Sequence, residues 1–147
     1  MEKKDLQILV VEQKILNCIH VVRGQKIMFD ADLAKMYKVE TRRLNEQVKR
    51  NINRFPKDFM FTLSEKEFVN LMSHFATSSF PGDKPSWGGR RKRPNVFTEH
   101  GVAMLSSILN SDIAIAVNIR IIRVFTKIRE YTSADLNKFI NLNKLGK

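Results

Sequence analysis

The sequence predicts an α+β domain: a small antiparallel sheet, a helix-turn-helix with a winged-helix-like loop, and a long central core helix. Three observations lead there. Apolar residues alternate along 15–23 and 59–63, the period of a strand, and 26–29 follows the first of these as a hairpin's return arm. Elsewhere they recur every three or four positions, in stretches that begin at Asp, Thr or Ser, the residue types that suit helix N-termini. The 147 residues, 43% of them hydrophobic, amount to one domain with apolar content for one sizeable core.

Residues 1–14 show no clean period and are expected as an N-terminal arm. From Ile15 the residues alternate. Ile15, Asn17, Ile19 and Val21 would share one face, and Leu16, Cys18, His20 and Val22 the other, as in a strand buried largely on both sides. Gly24-Gln25 supplies a tight turn, and 26–29 returns as the second arm of a hairpin. Asp30 is placed to cap a short helix, 31–37, with Leu33, Ala34 and Tyr37 inward. Lys38-Val39-Glu40 breaks that helix. Thr41 is expected to cap a second one over 42–52, with Leu44, Val48 and Ile52 as a narrow inward stripe. Pro56 disfavours helical geometry at Phe55 and ends it.

Residues 59–63 read as a strand, and Ser64 with Glu67 forms a capping box ahead of a helix that runs to about Met72. Three of the four prolines and three of the six glycines fall in 73–94, which therefore reads as a long loop. Residues 95–97 make a short strand, and Thr98 caps a helix over 99–109 with Val102, Leu105, Ile108 and Leu109 inward. Asn110-Ser111 breaks it. The stretch 113–131 is the longest helix, apolar round most of its circumference and so expected at the centre of the core, with Arg120, Arg123 and Lys127 as its polar stripe. A tail, 132–147, carries Leu136, Phe139, Ile140 and Leu142 at helical spacing.

Charge narrows the function classes. Lys plus Arg number 26 against 15 Asp plus Glu, a net charge of +11, which favours an anionic partner such as nucleic acid or a phospholipid surface. No apolar run is long enough to cross a bilayer, and the N-terminus does not read as a secretory signal. The expected location is cytoplasmic and nucleoid-associated, with no membrane partner. On a helical wheel centred on Leu44, the far side of the second helix holds Arg42, Glu46, Lys49, Arg50 and Asn53, with Arg43 and Gln47 at its edges and Arg54 just beyond. Arg forks fit guanine edges, amides fit adenine and Lys neutralises phosphate. The same composition also suits an ordinary solvated helix face. The loop adds Lys84, Arg90, Arg91, Lys92 and Arg93 against Asp83 alone, and a basic loop between a helix and a strand is comparable to the wing of a winged helix.

Enzyme readings find less support. Asp30 and Asp32 have the spacing of a possible Mg²⁺ pair, yet acids at a helix start are explained by capping and the helix dipole. His20, His74 and His100 are scattered, and the single cysteine, Cys18, excludes an intrachain disulfide and a cysteine-rich zinc site. Cys18 and His20 would share a strand face, but nothing orients them as nucleophile and base. There is no phosphate-binding glycine loop and no nucleophile elbow.

The run RGQKIMFDADLAKMYKVETRRLNEQVKRNINRFPKDFMF (23–61), followed by FTEHGVAMLSSIL (97–109) and an Ile-rich helix, resembles the KilA-N-type DNA-binding domain of phage and prophage proteins. The similar branch is the one named after the N-terminal part of a phage open reading frame six, related to the viral Bro-N domain, and the resemblance runs from about Ile15 to Tyr131. It implies a compact α+β DNA-binding module at the N-terminus of phage regulatory or antirepressor proteins, with no catalytic activity and no cofactor. The family's basic helix matches 41–53. Lys38 stands where the family often has glycine, and the loop 80–94 is longer and more basic than the family pattern.

The expected organisation is thus an arm (1–14), a KilA-N-type DNA-binding domain (15–131) and a C-terminal helical tail (132–147). The expected partner is double-stranded DNA, in a phage or prophage transcriptional regulator or antirepressor, with a homodimer left open. The alternative is a protein-interaction module that captures a repressor or other regulatory protein through 112–147 and has only non-specific affinity for DNA. Because many relatives continue into a distinct C-terminal domain, a stand-alone binder and a truncated regulator both remain open.

Overall fold

The structure, a computed structural model, describes residues 11–78 and 93–130. In chain order the elements are α1 (11–17), β1 (His20–Val22), β2 (Gln25–Phe29), α2 (Asp30–Tyr37), α3 (Thr41–Arg50), a 3-10 turn (Ile52–Arg54), β3 (Met60–Thr62), α4 (Glu65–Ser78), β4 (Asn95–Phe97), α5 (Glu99–Leu109) and α6 (Asp112–Glu130). The expected α+β class holds. The four strands form one antiparallel sheet in the order β1-β2-β4-β3.

The sheet is the middle layer of the molecule. Its register sets Met28 opposite Phe97, and Phe29 opposite Val96, which in turn faces Phe61 on β3. Alternation then sends Met28 and Phe97 to one side, into a core with Leu33, Tyr37, Leu44, Val48, Leu105, Ile121 and Phe125. Ile27, Phe29, Val96 and Phe61 go to the other side, under Phe68, Leu71 and Met72 of α4. Burial on both faces is why β2 is a continuous apolar run at its C-terminal end.

The first expected strand is shorter than its alternation suggested. Only 20–22 are extended; 11–17 are helical, and Cys18 lies in the turn that follows. Val11, Ile15 and Ile19 repeat every four residues and pack on the core, a helical period that is invisible when the pattern is read from Ile15 onward. Glu12 on α1 pairs with Lys127 on α6 at 2.7 Å. Cys18 and His20 therefore do not share a strand face. Burial pushes the Cys18 thiol up to about 12, so it stays protonated. His20 sets its ring edge-on to Phe29, 5.2 Å between centroids.

The hairpin turns one residue earlier than expected, at Arg23-Gly24, with φ of +55° and +73°. Two consecutive left-handed residues make the turn that matches strand twist. Arg23 adopts this geometry while its side chain is anchored: it donates to Glu67 through Nε at 2.8 Å and through a terminal nitrogen at 3.0 Å, and it lies 4.3 Å over the Phe61 ring. The capping box forms as read, with Ser64 N–H donating to Glu67 at 2.7 Å and Glu67 N–H to Ser64 Oγ at 3.1 Å. Hydrogen bonds from Arg23, then from the Ser64 amide, hold the Glu67 carboxyl down from its ordinary 4.5 to about 2. A carboxyl depressed in the folded state stabilises above its unfolded pKa and loses that contribution as pH falls towards the folded value. The stability difference between the protein and Glu67→Gln, measured by urea denaturation, is expected to be constant above about pH 5 and to shrink steadily from there towards pH 2.

α4 continues to Ser78, beyond the expected end at Met72, so 73–78 is helix rather than loop. Of the remainder of the expected loop, 79–92 lie outside the described residues, as does the tail from 131, while 93 and 94 are described and lead into β4. Thr98 caps α5 by accepting the Gly101 N–H at 3.4 Å, and Asn110 ends it in the left-handed region at φ +44°.

α6 is the longest helix, but it is not surrounded by core. Ala114, Asn118, Ile121, Phe125 and Ile128 face inward. Ile113, Ile115 and Ile119 remain 45%, 44% and 48% exposed. Among the described residues the helix packs chiefly on α5 and α2, along one side, so apolar residues round most of its circumference do not place it at the centre. Its one inward polar group is satisfied: Asn118 accepts from Tyr37 Oη and donates to the Val102 carbonyl at 2.7 Å, tying α2, α5 and α6 together.

Candidate nucleic-acid interface

α3 is presented by the turn before it and the core beneath it. Lys38 ends α2 at φ +59°, ψ +44°, and the Val39 N–H reaches back to the Ala34 carbonyl at 3.0 Å. Lysine thus takes up the left-handed position that glycine would occupy without steric cost. Leu44 and Val48 are fully buried. Ile52, expected to extend that stripe, is 52% exposed, because α3 stops at Arg50 and the 3-10 turn swings the residue out of line.

Of the two expected caps at this corner, Thr41 is not one: α3 begins at Thr41 itself, with no side-chain cap bond at its start. Asp30 does accept an orphan amide at the start of a helix, but from within α2, which begins at Asp30 itself, and it does more than that. Asp30 is fully buried and joins elements distant in sequence. Its Oδ1 accepts from the Ala31 N–H at 2.7 Å, and its Oδ2 accepts from Asn45 Nδ2 at 2.9 Å and from the Asn95 N–H at 3.2 Å. Asn95 Nδ2 donates to Asn45 Oδ1 at 3.1 Å, and Thr62 Oγ1 donates to Asn95 Oδ1 at 2.6 Å. One hydrogen-bonded chain therefore runs from the start of α2 through α3 to β4 and β3. Asp30 is engaged by this chain, and among the described residues no three His, Cys, Asp or Glu side chains are grouped to hold a metal.

This chain forms the floor of an open groove of about 910 Å³ between α3 and the β3–β4 edge. Arg42, Glu46 and Lys49 line it from α3, and Arg93 from the residues leading into β4. Arg42 and Glu46 approach to 3.9 Å, a loose and exposed pair. Arg43, Arg50, Asn53 and Arg54 are exposed but do not line the groove. Gln47 is half-buried, and its backbone carbonyl accepts from Asn51 Nδ2 at 2.8 Å. Arg43, Lys49 and Arg50 make no hydrogen bond or ion pair among the described residues. Lys84, Arg90, Arg91 and Lys92 lie outside the described residues.

The expected cations thus divide into a groove rim (Arg42, Lys49, Arg93) and an opposite flank (Arg43, Arg50, Arg54). Asn45 and Asn95 did not emerge from the sequence. Asn45 carried one signal, a short amide at the border between the apolar stripe and the polar face of α3, but its partners lie 15 and 50 positions away. No helix among the described residues is long and apolar enough to cross a membrane.

The family model for the ORF6N domain, a phage-associated family, matches residues 17–108, which take in α2, α3 and the whole groove and stop before α6. Neither a curated protein nor a solved structure matches the chain.

Proposed function

We propose that this chain, which belongs to the ORF6N domain family, binds double-stranded DNA with α3 in the major groove, as a phage-type transcriptional regulator or antirepressor. The observation that carries this reading is the state of the α3 cations: the helix is held by Leu44, Val48 and the Asp30–Asn45–Asn95 chain, while Arg43, Lys49 and Arg50 are exposed and make no hydrogen bond or ion pair among the described residues. A firmly packed helix with exposed cations on both flanks suits a groove about 12 Å wide bordered by two phosphate backbones. Arg42, Glu46 and Lys49 on the outward side of α3, with Asn53 exposed in the 3-10 turn after it, would meet base edges. Arg43, Gln47, Arg50 and Arg54 would meet one backbone, and Arg93, with the loop residues Lys84, Arg90, Arg91 and Lys92, the other. The same reading places the chain among KilA-N-type and Bro-N-related modules, acting on DNA in the cytoplasm without catalysis or a cofactor.

The test is selection from random duplexes at near-physiological salt, followed by a salt titration. If about six phosphates are neutralised, log K against log salt is expected to fall with a slope of roughly −5. Arg42→Ala is expected to relax the selected motif at one position, worth about 1–3 kcal/mol. Neutralising Arg43 and Arg50 together is expected to weaken all sequences alike and flatten the slope by roughly two units. Binding without an enriched motif would favour the repressor-capturing module; a slope near zero or no duplex binding at low salt would end the DNA reading.

A further inference from the structure

The outward side of α6 carries a pattern that neither the core nor the DNA-binding reading uses. Asp112, Ala116, Ile119 and Arg123 follow one another in steps of four, three and four residues, the spacing of a helix–helix seam. All four are exposed, and they lie opposite the inward row of Ala114, Asn118, Ile121 and Phe125. Ile113 and Ile115, nearly half exposed, border the seam on its two sides. Neither Asp112 nor Arg123 has an ion-pair partner among the described residues.

This row is complementary to itself. When two copies of α6 run antiparallel about the midpoint between Val117 and Asn118, Asp112 of each copy meets Arg123 of the other. Ala116 meets Ile119, small against large, and on one flank Ile115 meets Ile122. On the other flank Ile113 meets Arg120, whose aliphatic stem can cover an apolar neighbour while its charge reaches water. Each match occurs twice, as a two-fold axis requires. A row with acid at one end, base at the other and a small residue near the centre suits its own copy in reverse better than a uniformly acidic or basic partner.

We propose that the exposed face of α6 is a two-fold homodimer interface, formed by antiparallel pairing of Asp112–Arg123 with the same segment of a second copy. It lies outside the residues matched by the family model and does not rest on the DNA reading.

Sedimentation equilibrium of the full chain, across micromolar to millimolar concentration at about 0.3 M salt to screen repulsion between two +11 chains, reads the mass directly. The expected result is a concentration-dependent rise from 17.1 kDa towards twice that value. Ile119→Lys, at an exposed helical position where lysine is well tolerated, is expected to raise the dissociation constant by about a hundredfold, because each dimer loses two isoleucines. Arg123→Asp sets like charges together and is expected to weaken the dimer, and the charge-exchanged double variant Asp112→Arg with Arg123→Asp to restore it. Circular dichroism verifies that each variant is folded. A chain that stays monomeric throughout, with this face idle or covered by another part of the same chain, would overturn the proposal. So would a dimer indifferent to Ile119→Lys, which would mean that the copies meet elsewhere.

Discussion

Gly101→Ala is expected to cost more than about 3 kcal/mol, measured as the loss of unfolding free energy in urea. A Cβ built at Gly101 stands 2.0 Å from the carbonyl oxygen of Phe59 and 2.9 Å from its carbonyl carbon, where real Cβ atoms essentially never approach closer than 3.0 Å. The obstacle is backbone, and it is held in place. The Phe59 carbonyl accepts the Thr98 N–H at 3.0 Å and the Thr98 hydroxyl at 3.3 Å, so it cannot retreat without opening the corner where β4 enters α5. On the far side the Phe97 ring already lies 3.3 Å from the same position. Gly24→Ala provides the contrast. It has φ +73° and nothing within 4 Å, so only the left-handed backbone is penalised and a loss of about 1 kcal/mol is expected. Equal losses in the two variants would show that α5 relaxes away from β3 without resistance. Because α3 packs on α5, Gly101→Ala is also expected to lower duplex affinity in proportion to the folded fraction.

Asp30→Ala is expected to destabilise by about 2–4 kcal/mol and to loosen α3 from the sheet. It removes the acceptor of three donors, Ala31 N–H, Asn45 Nδ2 and Asn95 N–H, and water entering from the groove compensates them only in part. Asp30→Asn keeps the shape but points an NH₂ group at one of those donors, so it too is expected to lose about 1–3 kcal/mol. Thr41→Ala is expected to change stability by less than about 0.5 kcal/mol, since Thr41 makes no cap bond at the start of α3. If Asp30 and Thr41 were equivalent helix caps, alanine at either would cost about 1 kcal/mol. Chemical denaturation of the three variants separates the two accounts. A circular-dichroism spectrum that keeps its helical amplitude while duplex selection loses its motif would locate the remaining effect of Asp30→Ala in the orientation of α3.

What could be read along the chain was whatever closes within three or four residues. The capping box of Ser64 and Glu67, the Thr98 cap, the break at Asn110 and the apolar pair Leu44 and Val48 all bond or pack within their own helix turn, so residue type and spacing determine them. The basic outer face of α3 was legible for the same reason: once Leu44 and Val48 face the core, the helical period alone turns Arg42, Glu46 and Lys49 outward. What the tertiary structure decided are contacts between segments far apart in sequence. Ile15 is helical because Val11 and Ile19 share its side of the core, and the alternation that begins at Ile15 cannot express that. Asp30 is a buried junction, and not only the acceptor of the local Ala31 N–H, because packing brings Asn95, 65 positions later, within 3.2 Å of its carboxylate. Ile113, Ile115 and Ile119 are exposed because, among the described residues, α6 packs along one side. A residue's type sets which bonds and surfaces it offers, but a partner remote in sequence is chosen by the layer packing of the whole domain, and that choice separated the groove rim of Arg42, Lys49 and Arg93 from the opposite flank of Arg43, Arg50 and Arg54.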